Sequence, residues 1–169
     1  MKPVIILSKQ QKGFTLLEAM VAMVVFSVGL LGLGALQMTG MTNTQSALYQ
    51  SIATQMAYDM ADRIRSNPAG AKATDYDAIV SGVPGTNPSC STTCTSTQVS
   101  QRDNFQWAVN LRDMLPGGIG TVLSAIDANG TKSFTITVMW DNAKSGATGT
   151  NCNPADPNDL KCSKITFVP

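Results

Sequence analysis

Histidine is absent from all 169 residues. That absence removes His-dependent triads, His metal sites and the commonest general base. The chain also has no glycine-rich phosphate cradle. Its carboxylates beyond residue 66 are aspartates scattered through helix ends, turns and loops, with no catalytic pair among them. The chain is therefore expected not to be an enzyme and to need no cofactor or metal. Charge is scarce, at 14% of residues, and no basic stripe with interleaved aromatics appears, which argues against nucleic acid as a partner. Between Gly13 and Tyr58 the only formal charge is Glu18.

What is present is apolar. Residues 19–36 form a hydrophobic run broken only by Ser27, and residues 14–36 read as a helix long enough to cross about 30 Å of hydrocarbon. Burying an ionised carboxylate in such a segment costs at least several kcal/mol, so Glu18 must neutralise, pair with a cation, face a protein partner or sit wet at headgroup level. Spacing alone leaves pairing and headgroup exposure open. Lys2, Lys9 and Lys12 precede Gly13 and predict a cytoplasmic N-terminus, with everything after the span exported. Without them, nine basic side chains face eleven acidic ones, a formal charge of −2 against +1 for the whole chain. An ordinary secretory signal would place small residues after its apolar region; here the glycine comes first, so the apolar helix is expected to survive processing.

The order Lys12-Gly13-Phe14-Thr15-Leu16-Leu17-Glu18-Ala19, a basic leader ending in glycine before an apolar helix, resembles the type IV pilin family, which includes the pseudopilins of type II secretion. The resemblance implies that a prepilin peptidase cuts between Gly13 and Phe14, that the new Phe14 amine is methylated, and that Glu18 aligns the subunit with a neighbour's amino terminus during assembly. Physics is compatible with this. Opposite charges about 4 Å apart gain several kcal/mol at intermediate dielectric, and each relieves the other's desolvation. The implied partners are other minor pilins and the major pilin, or pseudopilins, with the peptidase-methylase and the inner membrane. The implied location is an inner-membrane single-pass state with a periplasmic head, then the pilus filament, its tip included.

Further along, Leu48, Ile52, Met56, Met60 and Ile64 recur every fourth residue with Tyr49, Ala53 and Ala57 beside them, the mark of a helix packing one side on a core. Arg63 and Arg65 suit the last turn and Asn67-Pro68 supplies the stop. An unbroken helix over 14–66 would measure about 80 Å. Gly29, Gly32, Gly34 and Gly40 fall inside it, where they serve close helix packing or mark a place that loosens on leaving the membrane. The run from Asp62 to Ala71, with Trp107, Leu115-Pro116-Gly117-Gly118 and Val138-Met139-Trp140, resembles one group of minor pilins within the family.

Residues 69–100 read as a loop region. Thr95 with Gln98 fits a capping box opening a helix to about Leu115, buried through Trp107, Leu111, Met114 and Leu115 and closed by Pro116-Gly117-Gly118. Strands follow over 120–126, 131–140 and 162–168. In the second of these, Phe134, Ile136, Val138 and Trp140 alternate with Thr135, Thr137 and Met139, predicting a half-buried antiparallel strand. Asn129-Gly130-Thr131 matches a glycosylation sequon, with hairpin turn chemistry the stronger reason for Asn-Gly there.

Four cysteines lie on the exported side, an even number in an oxidising compartment. Of three possible pairings, Cys90 with Cys94 and Cys152 with Cys162 are the shortest local closures. A four-cysteine zinc site fits neither gap well, and a redox pair at Cys90 and Cys94 lacks the C-x-x-C spacing.

The expected fold is α+β, the type IV pilin fold: a long N-terminal helix, transmembrane then amphipathic, packed on a small antiparallel sheet with one additional helix. Its parts are a cleaved basic leader at 1–13, the helix at 14–66 and a periplasmic head with two disulfides at 67–169. The leading function is a minor pilin of the type IV pilus acting in assembly initiation, with adhesion or motility as further roles. The alternatives are a minor pseudopilin of a type II secretion system and a permanently membrane-anchored binding or redox module.

Overall fold

The computed structural model describes residues 13, 15–81, 87, 90 and 93–169; residues 1–12 of the leader expected at 1–13, and Phe14, lie outside them. Seven elements follow in order: α1 (Leu16–Ser66), α2 (Pro68–Lys72), β1 (Ala78–Val80), α3 (Ser96–Met114), β2 (Ile119–Ile126), β3 (Lys132–Trp140) and β4 (Lys161–Phe167). The strands form one antiparallel sheet in the order β1-β2-β3-β4. By its contacts the chain divides into two units, Met1–Asn43 and Thr44–Pro169, so the second half of α1 belongs with the head. The fold is the α+β arrangement expected of a type IV pilin, with α2 added to the one additional helix foreseen.

In the head, α1 buries Ala53, Met56, Ala57, Met60, Ala61 and Ile64, positions three and four apart on one face. Leu48, expected in this stripe, is 55% exposed. Residues four apart advance about 40° beyond a full turn each time, so Leu48 is rotated about 160° from Ile64 and has left the core face. Helix α1 ends at Ser66 because Pro68 cannot continue it; Asn67 then caps α2, its Oδ1 accepting the Gly70 N–H at 3.2 Å.

Helix α3 opens on the reciprocal capping box: Thr95 Oγ1 accepts from the Gln98 N–H at 3.2 Å and Gln98 Oε1 from the Thr95 N–H at 3.0 Å. Trp107, Leu111 and Leu115 are buried, whereas Met114 is half exposed at the helix end, against expectation. The Trp107 indole donates to the Met56 carbonyl of α1 at 2.9 Å, and its ring lies where a Cβ on Gly120 would fall, so β2 closes on α3 only with glycine there. After α3 the chain reverses through Gly117 at φ +60, a conformation glycine adopts freely.

Two elements sit in the stretch expected to be loop. Helix α2 follows the Asn67 cap directly. Strand β1 pairs Ile79 with Val122, and Ser81 N–H to Gly120 O at 2.7 Å prolongs the pairing. Three residues carry too little pattern to announce a strand; Ile79 joins the core through its partner strand.

The hairpin β2–β3 turns on Asp127, whose carboxylate accepts the N–H groups of Asn129 at 2.9 Å and Thr131 at 2.8 Å. On β3, Phe134, Ile136, Val138 and Trp140 face the helices as expected. Thr137 and Met139 on the other face are also buried, so β3 is not half-buried along its length. The cause is covalent and non-local. Met139 lies opposite Cys162, and the Cys152–Cys162 disulfide, with Cα atoms 5.6 Å apart, brings Thr150, Asn151 and Cys152 beside Thr137 and Met139 on the sheet's outer side. The second disulfide joins Cys90 and Cys94, also 5.6 Å apart at Cα, just before the α3 cap. Peptide mapping without reduction is expected to recover both pairs. Free thiols at Cys152 and Cys162 would contradict the covered face.

Candidate assembly site

From Leu16 to Leu36 every residue of α1 is exposed, and this helix is long and apolar enough to cross a membrane. Exposed apolar surface of that extent requires lipid or another apolar partner. Its polar exceptions look after themselves: the Ser27 hydroxyl donates to the Met23 carbonyl at 2.7 Å and the Thr39 hydroxyl to Ala35 at 3.1 Å, so neither asks for water. Glu18 is the one carboxylate in the span, exposed in the first turn. Near a helix N-terminus the dipole favours a negative side chain, which keeps an anion there inexpensive until the segment is desolvated.

Thr15, which the sequence reading passed over, sets where this turn begins. Its Oγ1 accepts the Glu18 N–H at 3.3 Å, and its carbonyl accepts those of Glu18 at 3.1 Å and Ala19 at 3.2 Å. The signal was present in the chain: Thr15 and Glu18 stand at the same spacing as Thr95 and Gln98.

Gly13 is exposed, and a Cβ there would meet nothing within 4 Å. The same holds at Gly29, Gly32 and Gly34, although glycine inside a helix costs about 0.5–1 kcal/mol relative to alanine. Packing within one chain does not account for any of these four glycines.

In the head, a polar network joins α1, α2 and α3 to the segment before β1. Asn67 Nδ2 donates to the Tyr76 hydroxyl at 3.1 Å and to the Ser96 carbonyl at 2.9 Å. Tyr76, fully buried, donates to Asp103 Oδ2 at 2.6 Å. Asp103 Oδ1 faces Arg63 at 3.3 Å, and Arg63 also reaches Asp59 at 2.9 Å and Gln106 at 2.9 Å. Burial first, and the Asp103 carboxylate second, push the Tyr76 phenol far above its ordinary value, so it stays a neutral donor. A Cβ on Gly70 would strike Asn67 Nδ2, which explains the glycine. Arg65, two residues after Arg63, instead pairs with Asp62 at 3.0 Å and lies 4.6 Å from the centre of the Phe167 ring. Sequence reading placed both arginines as dipole partners and missed the tertiary role of Arg63. Among the described residues no cluster of His, Cys, Asp or Glu suits a metal ion.

Two family models match adjoining stretches of the chain, residues 8–105 together. The Prokaryotic N-terminal methylation motif covers residues 8–34, and Type IV pilin Tt1218 covers residues 35–105. The first contains Gly13, Thr15, Glu18 and the apolar run up to Gly34; the second contains Arg63, Asn67, Tyr76 and Asp103. The chain belongs to the type IV pilin family. No curated protein and no solved structure matches it. The family is structural rather than enzymatic, and its members are subunits of a pilus or pseudopilus. Membership implies assembly with other pilins and processing by prepilin peptidase, and the apolar helix is consistent with an inner-membrane anchor.

Replacing Tyr76 by phenylalanine removes the hydroxyl between Asn67 and Asp103 and leaves a buried carboxylate oxygen without its donor. Stability is expected to fall by about 1–3 kcal/mol, measured by urea denaturation of the full chain in detergent. An unchanged midpoint would show that the network contributes nothing.

Proposed function

We propose that this chain is a minor pilin of the type IV pilus, of the kind called PilV, a type IV pilus modification protein. It helps start or cap assembly, resides at the pilus tip and bears on adhesion or motility. The observation that carries the reading is the exposed apolar half of α1 with one carboxylate in its first turn. Such a surface serves twice, first in lipid and then against the helices of neighbouring subunits. Cleavage between Gly13 and Phe14 frees an amine that is then methylated, and Glu18 pairs with the equivalent amine of a neighbour, setting register.

The minor-pilin assignment rests on residues that also occupy joints of the head. Arg63, Asn67 and Gly70 stand in or against the polar network, Trp107 spans α3 and α1, and the Pro116 carbonyl accepts the Asp141 N–H at 2.8 Å. A minor pseudopilin of a type II secretion system shares the N-terminal logic. Loss of pili on deletion supports the first reading, and loss of protein export supports the second.

Intact mass spectrometry of the protein from cells holding the peptidase is expected to find a chain beginning at methylated Phe14. A chain beginning at Met1 contradicts processing and favours a permanent anchor for a binding or redox module.

A further inference from the structure

Asn129-Gly130 is the one Asn-Gly pair in the chain, and it sits at the tip of the β2–β3 hairpin. Such a pair is chemically fragile in water. With no Cβ on residue 130 to obstruct the approach, the Gly130 nitrogen can lose its proton and attack the Asn129 side-chain carbonyl carbon. A carbon–nitrogen bond forms, the bond to Nδ2 breaks and ammonia leaves with the proton, closing a five-membered imide. Water then opens either imide carbonyl, giving aspartate or isoaspartate. Nothing is oxidised or reduced. Isoaspartate carries an extra methylene in the main chain, at the turn that aligns Ile126 with Lys132, the last pair of the two strands.

Burial does not protect this pair, because residues 127–131 are all exposed. The hydrogen bonds of the turn do. The Gly130 N–H, the group that must give up its proton, donates to the Asp127 carbonyl at 3.0 Å. On either side of it the Asn129 and Thr131 N–H groups donate to one oxygen of the Asp127 carboxylate, at 2.9 Å and 2.8 Å, and the Asp127 N–H donates to the Thr131 carbonyl at 3.0 Å. To close the imide, the Gly130 nitrogen must leave its acceptor and swing towards the Asn129 side chain, while the peptide planes before and after it are pinned to Asp127. The nitrogen anion would also form beside a carboxylate, and a like charge disfavours it. We propose that Asn129 is the chain's site of spontaneous deamidation and that Asp127 protects it, so the modification proceeds only when this turn opens locally. That chemistry is the same whichever assembly the chain joins.

The test incubates the full chain in detergent in mildly alkaline buffer and then digests it with trypsin, which releases residues 113–132 with Asn129 as their one asparagine. Aspartate and isoaspartate at position 129 are followed over time by chromatography and mass. The isolated 113–132 fragment in the same buffer gives the unprotected rate. The folded chain is expected to deamidate at least about tenfold more slowly than the fragment, and Asp127→Ala about tenfold faster than the folded parent. Tyr76→Phe, which loosens the head far from the hairpin, is expected to keep the parent rate. A folded parent that deamidates as fast as the fragment overturns the proposal, and that comparison decides the matter even if Asp127→Ala fails to fold. Asp127→Ala at the parent rate, or Tyr76→Phe as fast as Asp127→Ala, overturns it too, the latter because unfolding of the whole head would then set the rate.

Discussion

An apolar helix half that nothing in its own chain covers is the constraint on which the rest depends. Residues 16–36 of α1 are all exposed, and an isolated soluble molecule would hold that surface in water at a cost of about 25 cal/mol for each Å². Two environments relieve it, lipid and the helices of other subunits, and a filament pilin passes from one to the other. Lipid chains match the hydrophobicity of the segment but not a charge, so Glu18 is the group that distinguishes the two environments. In hydrocarbon it is a liability; the proposed pairing with a neighbour's amine would relieve it and would fix one register.

The head answers a different requirement. It is small, and its core is built from short side chains of α1 such as Ala53, Ala57 and Ala61 against Trp107, Phe134 and Trp140. Hydrophobic burial is supplemented by the Asn67–Tyr76–Asp103–Arg63 network and by the disulfide that fastens the segment before β4 to the sheet. Every polar group in that network meets a partner from another segment, which makes it a fastening among α1, α2 and α3 rather than a reactive centre. Tyr76, whose phenol burial and then Asp103 push far above its ordinary value, stays a neutral donor in that fastening.

What was legible in the chain was local. The capping box at Thr95 and Gln98, the stop at Asn67-Pro68, the Asp127–Gly130 turn and the inward face of β3 each follow from residues within a few positions of one another. What was not legible depends on partners far along the chain. Met139 is buried because Cys152 lies over it, and Tyr76 meets Asp103 across 27 residues. Strand β1 exists because β2 accepts it. Leu48 failed for a geometric reason, since a strict period of four drifts off a helix face. Thr15 was a different failure: the spacing was as readable as at Thr95, but the apolar run behind it drew attention to the membrane and away from the helix start. The start of α1 was therefore visible in its charge and its glycine, and incomplete in the residue that caps it.

The central claim is that Glu18 meets a neighbouring subunit in the assembled filament. The most direct measurement is the amount of this chain in filaments sheared from cells expressing Glu18→Val at native level, beside its amount in the inner membrane. The account predicts a folded variant that accumulates in the membrane and is depleted from the sheared fraction. Incorporation of the variant at the parent level would contradict it.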